Sequence, residues 1–163
     1  LLIVGDITDP LTQERIVTEL KPRKVNSVVS DISPDITGKW NIDQAVAMTL
    51  VAKVFDFALP LLCNGGSFVT KLFQGVGVEE LIKAVKPHFS TVRRYSPEAS
   101  RNSSSEVYLI CRNYMPWKTE SGSVLVDYET EVNKILGGDE INDDVVATKT
   151  KFTVRRRKDT SEE

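Results

Sequence analysis

The chain has 163 residues, 40% of them hydrophobic and 27% charged; that suits one globular domain and excludes disordered, collagen-like or membrane-bundle compositions. The longest apolar stretch, residues 45–63, is interrupted by Lys53 and Asp56, so no membrane span is expected, and residues 1–4 lack the basic flank and cleavage site of a signal peptide. The net charge of −2 is uneven: residues 1–118 hold 14 Lys and Arg against 12 Asp and Glu, while 119–163 hold 7 against 11, a basic excess too small to argue nucleic-acid binding alone.

Residues 1–4 read as a short buried strand stopping at Gly5-Asp6. The chain opens in mid-strand with no initiator Met, so an upstream segment is expected. Asp9-Pro10 starts a helix, Asp as N-cap and Pro at its first position, with Leu11, Ile16 and Leu20 on one apolar face and Lys21-Pro22 at its end. Residues 25–30 form a second strand running into Asp31. A loop rich in Pro, Asp and Gly spans 33–39. Asp43 is placed to cap a long helix over 44–62, closed by Asn64-Gly65-Gly66.

A third strand covers 67–73, a Gly75/Gly77 loop follows, and a helix covers 78–85. Strands at 89–95 and 106–112 are joined by a Ser-rich loop too short for a parallel crossover, so that pair is expected antiparallel. Strands alternating with helices predict an α/β fold with a mostly parallel sheet, helices on both faces and one antiparallel closing strand. Residues 121–136 have room for a short strand and a helix. The acidic then basic remainder, including Arg155-Arg156-Arg157-Lys158, reads as a solvated tail.

Cys63 and Cys111 sit in apolar surroundings and read as buried free thiols. His88 cannot build a familiar metal site with them and is expected at the surface. Ligands of open α/β sheets sit at the carboxyl ends of strands, where Asp6 and Asp31 fall. Lys71 is the anomaly, a lysine inside the apolar strand Phe68-Val69-Thr70-Lys71-Leu72-Phe73. Three readings stay open: an outward-facing residue of an edge strand, a structural ion pair with Asp31 or Glu106, or a pKa-tuned group in a cleft. An antiparallel last strand would bring Glu106 to the same rim as Asp31 and Lys71.

Three ordered segments carry a resemblance. Ser30-Asp31-Ile32-Ser33-Pro34-Asp35-Ile36-Thr37-Gly38, Asn64-Gly65-Gly66-Ser67-Phe68-Val69-Thr70-Lys71-Leu72-Phe73-Gln74-Gly75, and Ser100-Arg101 followed by Ser104-Ser105-Glu106-Val107-Tyr108 resemble the motifs of the FtsJ/RrmJ ribose 2′-O-methyltransferases, over about residues 1–115. The spacing agrees as well, 40 residues from Asp31 to Lys71 and 35 from Lys71 to Glu106. The resemblance implies a Rossmann-like S-adenosylmethionine-dependent methyltransferase domain over 1–118, with 119–163 as tail. It implies Lys71 as general base toward an RNA ribose 2′-hydroxyl, oriented by Asp31 and Glu106. Asp6 and Asp31 would lie along S-adenosylmethionine. Burial and nearby cations would push the Lys71 pKa down.

Arg101, Lys39, Arg93 and Arg94 are candidate RNA contacts, Arg101 the best placed because it lies in a motif. Phe73-Gln74-Gly75 fits the branch acting on large-subunit ribosomal RNA; a transfer-RNA methyltransferase and a non-catalytic RNA-binding remnant are the alternatives. A nucleotide-binding oxidoreductase fits the fold class alone. A cytoplasmic monomer with an RNA partner and no metal is implied. The family's first catalytic lysine, its glycine-rich cofactor loop and the acidic residue after its second strand have no counterpart here; Gly75-Val76-Gly77 reads as loop geometry. The family strands without counterpart lie between those at 1–4 and 25–30, so the chain alone is expected to expose apolar edges, aggregate and bind the cofactor poorly.

Overall fold

The structure is a computed structural model that describes residues 1–35, 37–96, 106–118 and 122–135. Helix α1 (Pro10–Leu20) starts where local chemistry dictates: the Asp9 carboxylate accepts from Leu11 N at 3.3 Å and Thr12 Oγ1 at 3.2 Å, and Pro10 supplies the first helical φ. Its apolar stripe is narrower than expected. Ile16 and Leu20 face inward, whereas Leu11 is 69% exposed; at about 100° per residue it lies on the far side of the helix from Ile16. Residues 1–4 form no strand. Leu1, Leu2 and Val4 are exposed, because an extended segment becomes a strand only against a partner edge, and none of the described strands pairs with it.

Strand β1 (Val25–Ser30) leads to α2 (Trp40–Ala58). The cap of α2 is Lys39, not Asp43, which sits inside the first turn and reaches back to the preceding loop. A 3-10 turn at Leu59–Leu61 then passes directly into β2 (Leu62–Phe73). Asn64-Gly65-Gly66 therefore lies within a strand rather than ending a helix. Val25 pairs with Leu62 but Ser27 with Ser67, so four residues of β2 bulge against Asn26. Gly65 takes φ +78° there, and a Cβ on Gly66 would stand 2.9 Å from the Cys63 carbonyl oxygen.

Helix α3 (Val78–Val85), a 3-10 turn (Lys86–His88), β3 (Phe89–Tyr95), β4 (Glu106–Tyr114) and α4 (Val124–Ile135) complete the described chain. The sheet order is β1-β2-β4-β3. β1 and β2 are parallel, and β4 runs antiparallel to both β2 and β3. Three strands thus share one direction, as expected, but the reversed strand lies inside the sheet rather than closing it.

Helices on both faces were expected; α2, α3 and α4 instead pack against one another on one face. Two crossovers, β1-α2-β2 and β2-α3-β3, step the same way along the sheet. Right-handed crossovers that step the same way deliver their helices to the same side. That face is the core: Phe68, Thr70 and Leu72 of β2 and Val107, Leu109 and Cys111 of β4 are nearly inaccessible. Phe55 of α2 stacks on Phe68 at 4.0 Å and meets Phe89 edge-on at 6.4 Å; truncating such a side chain to Ala costs about 3–5 kcal/mol. Most of α2 together with the 3-10 turn after it, Ile42–Leu61, is long and apolar enough to cross a membrane, but half of its most apolar stretch is buried inside the protein, as befits a core helix. Val69, Lys71 and Phe73 alternate onto the opposite face beside Ile110, Tyr108 and Glu106, only half-buried.

Tertiary packing sets the remaining features. Val124–Ile135, within the stretch given room for a short strand and a helix, form α4 and no strand among the described residues; its Val124 and Tyr128 are buried against the body of the fold. Asp56 of α2 binds its start, accepting from Ser123 Oγ at 2.7 Å and Val124 N at 2.5 Å. His88, expected at the surface, is 2% exposed, and its Nε2 has no partner among the described residues. Burial pushes its pKa below the ordinary value, against the pull of Asp127 and Asp56. Cys111 is buried as expected, its thiol pushed up to about 12 by burial, whereas Cys63 is half-buried, with its Sγ 3.4 Å from Asn26 Oδ1.

Candidate active site at the carboxyl ends of the strands

Strand registry assembles the site. Ser30 pairs with Thr70, so the parallel β1–β2 ladder carries Asp31 alongside Lys71. Phe73 pairs with Glu106, so the antiparallel ladder brings the start of β4 to the end of β2. Lys71 Nζ lies 2.6 Å from Asp31 Oδ1 and 4.0 Å from Glu106 Oε1, and 5.8 Å from the centroid of the Phe73 ring, within cation–π range. The Lys71 side chain is 16% exposed, those of Asp31 and Glu106 are 73% and 44%. β2 is interior to the sheet, which removes the edge-strand reading of Lys71. The ion pair is present and lies on a solvent-facing rim.

The expected downward pKa shift of Lys71 is not met. The Asp31 hydrogen bond raises it most; burial lowers it by less, and the Asp31, Glu106 and Tyr108 charges raise it further. Two carboxylates outweigh partial desolvation, so Lys71 rests as an ammonium.

The loop leaving Asp31 is held by a residue that sequence reasoning had placed only as a helix cap. Asp43 Oδ1 accepts from Thr37 N at 2.9 Å and Thr37 Oγ1 at 2.6 Å, and Oδ2 accepts from Gly38 N at 3.0 Å. These bonds hold the Asp43 carboxyl below the usual carboxylate range. The next residue, Gln44, is 3% exposed and donates from Nε2 to the carbonyls of Phe73 at 3.1 Å and Gln74 at 2.9 Å. No sequence signal marked it, since a polar residue near a helix start is ordinarily solvated.

The other candidates separate. Asp6 Oδ1 accepts from Thr8 N and Thr8 Oγ1, both at 2.8 Å, and shares no contact with the trio. Lys39 is exposed at the start of α2. Arg93 and Arg94, taken together in the sequence, point to opposite faces of β3. Arg93 lies in register with Ile110 and Val69, on the Lys71 face, whereas Arg94 pairs with Glu79 of α3 at 2.7 Å. Arg101 lies outside the described residues.

The sequence profile described as FtsJ-like methyltransferase matches residues 2–114. A protein named ribosomal RNA large subunit methyltransferase E from Methanoculleus marisnigri is 46% identical over 112 residues, 69% of this chain and 55% of that protein. A protein of the same name from Archaeoglobus fulgidus is 43% identical over 112 residues, 69% of this chain and 58% of its own length. The chain thus spans little more than half of these relatives. In fold, it is similar to the crystal structure of a ribosomal RNA methyltransferase from Plasmodium falciparum, with a TM-score of 0.60 and 23% identity over 69% of this chain and 62% of that one.

Proposed function

The chain belongs to the FtsJ-like methyltransferase family, and on that premise we propose that the protein methylates a ribose 2′-hydroxyl in RNA, with Lys71 taking the proton. The carrying observation is the convergence of Lys71, Asp31 and Glu106 from three strands onto one rim. A ribose hydroxyl is a weak nucleophile until its proton has an acceptor within hydrogen-bond reach. Lys71 Nζ supplies that acceptor once it has lost its own proton. Glu106, 4.0 Å away, is placed to orient the incoming ribose or the amine.

S-adenosylmethionine, when bound, supplies a methyl group on a positively charged sulfur. The donor set fits such a group at one point: Asp31 presents a carboxylate that is 73% exposed at the carboxyl end of a parallel strand. Asp31 is the residue we assign to hold it, with Asp6 toward its adenine. Engagement of Asp31 with a cation would loosen its hold on the Lys71 proton, which is the change a general base requires.

Arg93, on the Lys71 face, Lys39 and Arg101 are the proposed RNA contacts; Arg94, tied to Glu79, is the weakest of the four. The relatives' names point to large-subunit ribosomal RNA rather than transfer RNA. Two unpaired thiols fit a reducing cytoplasm, and we assign the enzyme there as a monomer. The test is methyl transfer by the full-length protein to ribosomal RNA and to large subunits, with the product mapped by nuclease-resistant 2′-O-methyl linkages. Methylation of a ribose is expected; methyl transfer confined to a base, or to transfer RNA, would overturn the assignment.

A further inference from the structure

Consecutive residues near the start of α2 hold both limbs of the site. Side chains at adjacent helical positions diverge by about 100°. Asp43 turns outward and ties the Thr37–Gly38 segment that follows Asp31, while Gln44 turns inward and ties the end of the Lys71 strand. We infer that Gln44 is a positioning residue for methyl transfer, fixing the end of β2 so that Lys71 meets Asp31 and Glu106 in register.

The geometry carries this in three ways. Gln44 Nε2 grips two successive carbonyls, those of Phe73 and Gln74, and so sets the direction in which β2 leaves the sheet. Phe73 is the residue whose ring lies by Lys71 Nζ and whose backbone pairs with Glu106; holding its carbonyl holds a group that borders both. The approach is also close: a Cβ on Gly75 would stand 2.1 Å from Gln44 Nε2, so only glycine admits the clamp there.

The Gln44 amide is not placed for burial alone. Its Oε1 has no hydrogen-bond partner among the described residues, and a buried acceptor without a donor is costly. Leucine would fill the same volume without that cost. Gln44→Leu is therefore expected to fold while releasing both carbonyls.

The inference rests on the methyltransferase reading, and its test separates the two. In the full-length protein, Gln44→Leu is expected to lower kcat for RNA methylation about tenfold with KM for RNA within about twofold, the pattern of a misplaced reacting group rather than lost binding. The pH profile of transfer should shift with it. Independently of activity, the Lys71 titration, followed by NMR of 13C-labelled lysine, should move in Gln44→Leu; Gln44→Met, unbranched and of similar length, serves if the leucine variant does not fold. An unchanged kcat, pH profile and Lys71 titration alongside a lowered Tm would reduce Gln44 to a structural residue and overturn the inference. If the wild-type protein transfers no methyl group to RNA, the functional reading falls, and the Lys71 titration alone decides the positioning role.

Discussion

Lys71 and Asp31 form an asymmetric pair: 2.6 Å apart, with the lysine side chain 16% exposed and the carboxylate 73% exposed. The partly desolvated member is the proposed base, and the solvated carboxylate holds its proton. Desolvation alone would release that proton; the carboxylate retains it. The resting site is therefore a protonated lysine whose release depends on what Asp31 is engaged with.

Methyl transfer by the full-length protein should accordingly rise with pH through the neutral range, because only the neutral amine accepts a proton. Asp31→Asn removes the largest influence raising the Lys71 pKa, so the rise should move to lower pH even as the maximum rate drops. The stability consequence has the opposite sense. A lysine whose pKa is raised on folding contributes stability that is complete below its unfolded pKa, near 10.5, and lost as pH climbs through the higher folded value. Denaturant titrations of the wild type should lose stability above about pH 10 by more than those of Asp31→Asn.

His88 predicts a loss on the acid side. Its folded pKa lies below the ordinary 6.5 because of burial, so the unfolded chain binds the extra proton first as pH falls. Stability should decline from about pH 6.5 downward until the folded pKa is passed. His88→Leu should flatten that slope in urea melts at pH 5.5 and 7.5; an unchanged slope would place the titrating group elsewhere.

Asp56 predicts how α4 is attached. It accepts from Ser123 Oγ, Val124 N and Leu125 N, the last at 3.4 Å, satisfying donors that a helix start leaves open. Asp56→Ala should cost about 1–2 kcal/mol, by analogy with lost helix caps, and should expose α4 to limited proteolysis before the sheet. Retained protection of α4 would show that Val124 and Tyr128 alone suffice to dock it.

Much of the fold was legible where signals are local. Asp9-Pro10 marked the start of α1, and the span of α3 matched its apolar pattern residue for residue, because caps and helical periodicity act within a few residues. What depended on neighbours in space was not legible. Residues 1–4 have a strand's composition, but the described sheet offers them no partner. Asn64-Gly65-Gly66 has the composition of a helix stop but forms a bulge whose shape comes from its pairing with β1. His88 follows Lys-Pro, which reads as surface, yet the 3-10 turn delivers it to the interior. In the site, the trio was recognisable from its placement at strand ends and from the three motifs that resemble the family, and strand register brings it together. Gln44 was not, because nothing local distinguishes a buried clamp from a solvated side chain.

Lys71, on the proposed mechanism, moves the proton and does not hold the cofactor. Lys71→Ala in the full-length protein, with S-adenosylmethionine binding measured by calorimetry and methyl transfer to ribosomal RNA measured separately, tests it directly. Binding within about threefold of wild type with transfer reduced at least ~100-fold is the predicted result, in the range removed with a general base. Undiminished transfer would contradict it.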